Sequence, residues 1–110
     1  MTVADATREN FHELVAEGTK LVDVWGPQCK ECLVLMPHVE RIAGELNVDL
    51  VKLEAPKARR VCIELKVMGM PTLLLLKDGR EVSRVGGQTL TAARVREWLG
   101  AELSPGAAVS

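Results

Sequence analysis

Two cysteines three residues apart are the residues of this chain best suited to chemistry. Cys29 and Cys32 lie in the stretch DVWGPQCKECLVLMP, between an apolar run typical of a strand and a second run typical of a helix. Unpaired backbone N–H groups at a helix start stabilise a negatively charged sulfur and lower the pKa of its thiol. A second thiol one turn further on can resolve a mixed disulfide formed by the first. The spacing therefore predicts a redox pair with Cys29 as the attacking thiol.

The flanking sequence predicts alternating strands and helices that place the cysteines at the carboxyl end of a strand. Strands are predicted at 20–25, 48–53, 72–76 and 80–85, with a tight turn at Asp78-Gly79 between the last two. Helices are predicted within 7–17, at 29–46, around 58–65 and after an N-cap at Thr91. We expect an α/β fold, with a central mixed sheet of four or five strands and helices on both faces.

Composition narrows the class of protein. The chain has 110 residues, which suits one domain at 1–103 followed by a flexible tail at 104–110. Fourteen basic and fifteen acidic residues give a net charge of -1, so neither nucleic acid nor a membrane surface is an expected partner. Charged residues interrupt the first twenty positions, which argues against a signal peptide, and three cysteines are few for a secreted scaffold. We expect a cytoplasmic protein.

Asp23 is the third candidate for chemistry. After Lys20 at the start, it is the one polar residue in the predicted strand KLVDVW, whose apolar residues occupy both alternations. Such a strand is covered on both faces, so the carboxyl group of Asp23 should be desolvated and its pKa raised. We expect Asp23 to exchange a proton with Cys32, directly or through water.

Two segments of the chain resemble the thioredoxin family. The first is WGPQCKEC, with Asp23 before it and Pro37 after it, and the second is VMGMPTLLLLKDGREVSRVGG. The resemblance covers almost the whole chain and implies a thioredoxin fold. It also implies that Pro71 is a cis proline facing the cysteines, that Gly86 borders the substrate groove, and that Lys52 lies near Asp23.

The resemblance also implies the activity and the partners. A thioredoxin-like protein reduces disulfides in other proteins, and a thioredoxin reductase restores its dithiol. The redox-active disulfide of the two cysteines is its reactive group, so we expect no other cofactor and no metal. We expect a monomer. The residues expected to form the docking surface for a substrate chain are Trp25, Pro27, Met70, Pro71 and Gly86.

The dipeptide between the cysteines departs from the family pattern. Lys30-Glu31 stands where thioredoxins typically have Gly-Pro, and Gln28 replaces an aromatic residue. Lys30 favours the Cys29 thiolate, whereas Glu31 competes for the helix dipole and disfavours ionisation of Cys32. Because a less stabilised thiolate makes the disulfide harder to reduce, we predict a reducing couple.

Two other functions remain as alternatives. A C-x-x-C pair can bind a metal, although a closed zinc site needs about four ligands and the sequence contains no second such pair. The chain could also be a non-catalytic interaction module on the same fold, but the presence of both cysteines together with Asp23 and Pro71 argues against this alternative. The third cysteine, Cys62, lies on the apolar face of its helix and is expected to be a small buried hydrophobe.

Overall fold

The structure, a computed structural model, describes residues 1–104 of the chain. The strands within these residues are β1 (Val3–Ala6), β2 (Thr19–Trp25), β3 (Asp49–Glu54), β4 (Thr72–Lys77) and β5 (Arg80–Gly86). The helices are α1 (Phe11–Leu14), α2 (Lys30–Glu45), α3 (Arg59–Glu64) and α4 (Ala92–Leu103), with a 3₁₀ helix at Ala55–Lys57. Most of the tail predicted at 104–110 therefore lies outside the described residues.

The strands form one mixed sheet in the order β1-β3-β2-β4-β5. Strands β1 and β2 both pair with β3 in parallel, whereas β4 lies antiparallel to β2, and β5 lies antiparallel to β4. The predicted α/β fold with a mixed sheet of four or five strands is confirmed. Strand β2 lies in the centre of the sheet, which explains why it is apolar on both alternations.

Alternating residues of β2 enter two different cores. Leu21 packs in the core covered by α2 and α4, whereas Val22 and Val24 pack in the core on the side of α1 and α3. The helical residues of the first core include Leu35, Val39, Ile42, Val95 and Leu99, and those of the second include Phe11, Val61 and Cys62. Each fully buried leucine or phenylalanine contributes about 1.5–3 kcal/mol. Helices therefore stabilise both faces of the sheet, and Cys62 is buried as predicted.

The sequence prediction omits β1 and makes α1 too long. Strand β1 is an edge strand of sequence VADA that pairs only with β3, and its composition is not typical of a strand. Helix α1 begins only at Phe11, because Thr7 and Asn10 bond to each other in a preceding turn. The Thr7 N–H donates to Asn10 Oδ1 at 2.6 Å, and the Asn10 N–H donates to Thr7 Oγ1 at 3.2 Å. Such side chains compete with the helix for backbone groups.

Helix α2 lies close to its predicted range and continues through Pro37. Its buried face differs from the predicted one. The apolar spacing in the sequence predicts a buried face of Cys32, Met36, Val39, Ala43 and Leu46. Cys32, Val39 and Ala43 are buried as predicted, but Met36 and Leu46 are only half-buried. The fully buried positions are Cys32, Leu35, Val39, Ile42 and Ala43. This row faces the core that contains Leu21, so the helix is rotated about its axis relative to the prediction.

The β4–β5 hairpin and helix α4 form where local sequence signals predict them. Asp78 and Gly79 both have positive φ, 51° and 81°, as a two-residue turn between twisted strands requires. Thr91 caps α4, since its side chain accepts a hydrogen bond from the Arg94 N–H at 3.2 Å. Trp98 lies in the core, and its Nε1–H donates to Ser83 Oγ on β5 at 2.9 Å. The packing and this hydrogen bond hold helix α4 against the sheet.

Candidate active site

The loop between β2 and α2 brings Cys29 to the start of a helix. Cys29 is the N-cap residue of α2, with extended backbone angles of φ −92° and ψ 100°. The Cys32 N–H donates a hydrogen bond to Cys29 Sγ at 3.2 Å. The two Cα atoms lie 5.2 Å apart and the sulfurs form a disulfide bond, so this is the oxidised form. An N–H directed at Cys29 Sγ stabilises negative charge there once the bond is reduced.

The two sulfurs differ in their access to solvent. Cys29 is partly exposed, whereas Cys32 lies in the buried face of α2 and is only 2% exposed. A substrate disulfide can therefore approach Cys29 from outside but cannot reach Cys32. This difference fits the attacking role predicted for Cys29 and the resolving role predicted for Cys32.

Asp23 is a buried carboxyl group in β2, the strand that leads to the cysteine pair. It lies in the middle of β2 and is only 3% exposed, as its apolar neighbours predict. Because side chains alternate along a strand, Asp23 shares the face of Leu21, which is covered by the helix that carries Cys32. Burial raises the pKa of Asp23 to about 7, the charge of Lys52 opposes this rise, and the charge of Glu40 adds to it. Near neutral pH, Asp23 can therefore both accept and release a proton.

Lys52 lies beside Asp23, as the resemblance implies, but its ion pairs are with other residues. Lys52 is the partner of Asp23 in the parallel register of β2 and β3. Its Nζ donates to Glu40 Oε1 on α2 at 2.9 Å and lies 3.9 Å from Asp5 Oδ1 on β1. The hydrogen bond to Glu40 is the main reason that the pKa of Lys52 is raised. Glu40 is absent from the predicted site, because its approach to Lys52 depends on how α2 crosses the sheet.

The loop before β4 has the backbone form that the resemblance implies. The Met70–Pro71 peptide bond is cis. Thr72, which the sequence analysis did not single out, closes this loop by donating from Oγ1 to the Gly69 carbonyl oxygen at 2.6 Å. The Met70 side chain reaches the other loop of the site, since a Cβ built on Gly26 would lie 3.1 Å from Met70 Cε. The loop that carries Pro71 therefore packs against the segment that leads to Cys29.

Gly86 at the end of β5 lies directly against Pro71. A Cβ built on Gly86 would lie 2.8 Å from the Pro71 carbonyl oxygen, closer than real side chains come. The same oxygen accepts a hydrogen bond from the Gly87 N–H at 3.0 Å. Only glycine fits at position 86 without moving the proline loop.

A Gly86→Ala variant is expected to be less stable by about 1–3 kcal/mol and to reduce disulfides more slowly, because the added methyl displaces Pro71. Urea denaturation and an insulin reduction assay would measure the two effects. Gly44→Ala is the matched control: Gly44 lies in α2 with no atom within 4 Å of a built Cβ. That change should raise stability by up to about 1 kcal/mol. Equal denaturation midpoints for the two variants would contradict the proposed close approach.

The remaining predicted site residues lie around the disulfide with different degrees of exposure. Trp25 is half-buried at the end of β2, and Pro27 is exposed in the loop before Cys29. Lys30 and Glu31 occupy the first turn of α2, and both are exposed. Their effects on the two thiols stay a prediction, because the oxidised pair does not titrate.

Comparison with known proteins gives consistent matches. The thioredoxin family model matches residues 2–101 of the chain. A thioredoxin of Acetoanaerobium sticklandii is 39% identical over 93 residues, which cover 80% of this chain and 88% of the relative. A thioredoxin of Staphylococcus haemolyticus is 35% identical over 89 residues, covering 79% of this chain and 86% of the relative. One of Chlamydia trachomatis is 37% identical over 82 residues, covering 74% and 80%.

The matches agree with the geometry of the site. The family model spans the disulfide at the start of α2, the buried carboxyl group in β2 and the cis proline before β4. The relatives are matched over most of their own length, so the similarity extends to nearly a whole domain. The chain therefore belongs to the thioredoxin family, and it is a thioredoxin-type thiol–disulfide oxidoreductase that reduces protein disulfides through Cys29 and Cys32.

Proposed function

We propose that Cys29 is the attacking thiolate of this reductase and that Cys32 is the resolving thiol. The Cys29 thiolate attacks one sulfur of a substrate disulfide, and the other substrate sulfur leaves as a thiolate that takes up a proton. Cys32 then loses its proton and attacks Cys29 Sγ, which releases the second substrate thiol. Two electrons pass to the substrate, and the Cys29–Cys32 disulfide remains.

The observation that carries this assignment is the hydrogen bond from the Cys32 N–H to Cys29 Sγ at the start of α2. It directs an unshared backbone donor and the positive end of the helix at one sulfur only. The difference in burial between the two cysteines supports the same order of attack. Cys29 should therefore be the more acidic thiol.

Asp23 is proposed as the proton acceptor for Cys32. Its raised pKa, about 7, means that about half of the carboxyl groups are ionised at neutral pH and available to accept a proton. The ionised form is poorly solvated in the core, so it is a stronger base than an ordinary carboxylate. Deprotonation of buried Cys32 can therefore take place without exposing the sulfur to bulk water.

The docking surface is proposed to surround the exposed edge of Cys29. It comprises Trp25, Pro27, Met70, Pro71 and Gly86. An extended substrate segment would pair with the Met70 backbone, which precedes the cis proline, and pack on the neighbouring apolar side chains. Recognition mainly by backbone pairing would allow many protein disulfides as substrates.

Membership of the thioredoxin family suggests several further properties of this protein, which we include in the proposal. A thioredoxin reductase would return the oxidised pair to the dithiol, and no cofactor beyond the Cys29–Cys32 pair would take part. We propose a cytoplasmic monomer with a reducing couple, in which Glu31 limits thiolate stabilisation. No helix within residues 1–104 has both the length and the apolar character to span a bilayer.

Trapping tests the assignment of the two thiols. A Cys32→Ser variant should accumulate mixed disulfides between Cys29 and its substrates, because the second step is blocked. Non-reducing gel electrophoresis followed by mass spectrometry would detect these conjugates and identify the captured proteins. A Cys29→Ser variant is the control and should capture none. Conjugates with the control and none with Cys32→Ser would reverse the proposed roles.

Wild-type protein purified under reducing conditions addresses the two alternative functions. A metal centre on this pair would need about two further ligands. Within residues 1–104, no three His, Cys, Asp or Glu side chains come together as a possible metal site. Stoichiometric metal in protein purified under reducing conditions, without turnover of insulin, would favour a metal-binding protein. Absence of both metal and turnover would favour an interaction module.

A further inference from the structure

We propose that Glu40 is a positioning residue of this site: its carboxylate holds the Lys52 ammonium away from Asp23, so that Asp23 keeps a proton to exchange with Cys32. This inference rests on the proposed role of Asp23 as the proton acceptor. It adds a residue on α2 that acts mainly through Lys52, in addition to the smaller direct effect of its own charge on Asp23.

The geometry of Lys52 is the first support. Asp23 and Lys52 are register partners on neighbouring parallel strands, so their side chains leave the sheet on the same face. A lysine in this position could neutralise Asp23. Instead, its Nζ lies 2.9 Å from Glu40 Oε1, and among residues 1–104 no ion pair within 4.0 Å joins Lys52 to Asp23. Lys52 therefore forms its ion pair with Glu40 on α2 and not with Asp23.

The burial of the three groups is the second support. The Lys52 side chain is 18% exposed, whereas that of Glu40 is 41% exposed. The ion pair thus lies between the buried acid and solvent. Pairing with a half-exposed carboxylate offsets part of the cost of burying the ammonium in the sheet. Removing the Glu40 charge leaves the ammonium with Asp23 and the exposed Asp5, at 3.9 Å, as its acidic neighbours.

Among the described residues, few charged groups lie on the side of Asp23. Glu40 lies on α2 and Lys52 on β3, with Asp5 near Lys52 on β1, and α2 also carries Cys32. The partner of Asp23 on β4 is the apolar Leu73. The residues that α4 contributes to this core are Val95, Trp98 and Leu99. The electrostatic state of Asp23 therefore depends on Lys52, on what Lys52 is bound to, and on the cysteine pair.

Titration of Asp23 in the oxidised protein tests the proposal, because the disulfide-bonded cysteines do not titrate there. In Glu40→Gln, we expect the midpoint of the Asp23 carboxyl carbon resonance to fall by about one pH unit. Glutamine can still accept the hydrogen bond from Lys52 but carries no charge. The Asp23→Asn variant assigns the resonance. An unchanged midpoint in Glu40→Gln overturns the proposal.

Two further variants distinguish positioning from other effects. Glu45→Gln removes an ion-paired carboxylate from the same helix, where Glu45 contacts Arg41 and Arg96, and it should leave the midpoint unchanged. In a Lys52→Met background, Glu40→Gln should shift the midpoint much less than it does in the wild type. An equal shift in both backgrounds would mean that Glu40 acts on Asp23 directly, which overturns the role assigned to Lys52.

The pH profile of the second chemical step gives the functional readout. We expect its midpoint in reduced Glu40→Gln to move in the same direction as the carboxyl titration, with the protein still folded. A shifted titration with an unshifted profile would show that Glu40 controls Asp23 but that Asp23 is not the base, which overturns the proposed function at this step. An unshifted titration overturns the role of Glu40 and leaves the reductase assignment intact.

Discussion

A Cys29→Ser variant is expected to lose at least about 1,000-fold in the rate of disulfide reduction, because a serine hydroxyl is not ionised at neutral pH and forms no mixed disulfide. The insulin reduction assay, with dithiothreitol as electron donor, would measure the loss. The fold should be retained, since Cys29 is only partly buried and serine is itself a good N-cap residue.

Cys62→Ala is the matched control for this loss. Cys62 is buried on α3 in the core on the opposite face of the sheet from Cys32. Its removal should cost some stability but leave the rate of insulin reduction near that of the wild type. Comparable rates for Cys29→Ser and the wild type would show that the redox pair is not responsible for turnover.

Asp23→Asn is expected to stabilise the oxidised protein at pH 8 by an amount on the order of 4 kcal/mol, with a much smaller gain near pH 4. The pKa of Asp23 is about 7 in the folded protein and has an ordinary value of 3.8. Between these values the unfolded chain has lost the proton that the folded protein keeps. The stability of the wild type therefore falls as the pH rises through this range, whereas an amide has no proton to lose.

Urea denaturation of the wild type and the variant at both pH values would measure this difference. Asp49→Asn is a control of opposite sign. The hydrogen bond from Lys20 at 2.9 Å is the main reason that the pKa of Asp49 is lowered to about 2. Its ionised form stabilises the fold above pH 4, so Asp49→Asn should reduce stability at pH 8. A gain for Asp23→Asn that does not depend on pH would contradict the buried-acid interpretation.

The parts of the fold that could be predicted from the sequence depend on local signals. The turn at Asp78-Gly79 requires two residues that tolerate positive φ, and Thr91 supplies a side-chain acceptor at a helix start. The cysteine spacing likewise predicts a sulfur at the N-cap of a helix, which is where the structure places Cys29. Each of these features is decided within a few residues of the chain.

The parts that could not be predicted depend on contacts between distant segments. Strand β1 forms because β3 offers it an edge, not because its own composition favours a strand. The buried face of α2 depends on how the helix packs on the sheet, so Leu35 is buried where Met36 was expected. Glu40 reaches Lys52 only through that packing. For the candidate site, the chemistry of each side chain could be inferred from its type, whereas its charged neighbours could not.

The atom that caps α2 is Cys29 Sγ, the same sulfur that we propose as the attacking nucleophile. Every catalytic cycle therefore changes the acceptor that closes the first turn of this helix, from a weak disulfide sulfur to a full thiolate and back. Fraying of that turn should be suppressed most in the state that is ready to attack. The order of the first turn of α2 and the reactivity of the Cys29 sulfur should then change together, without a domain movement that couples them.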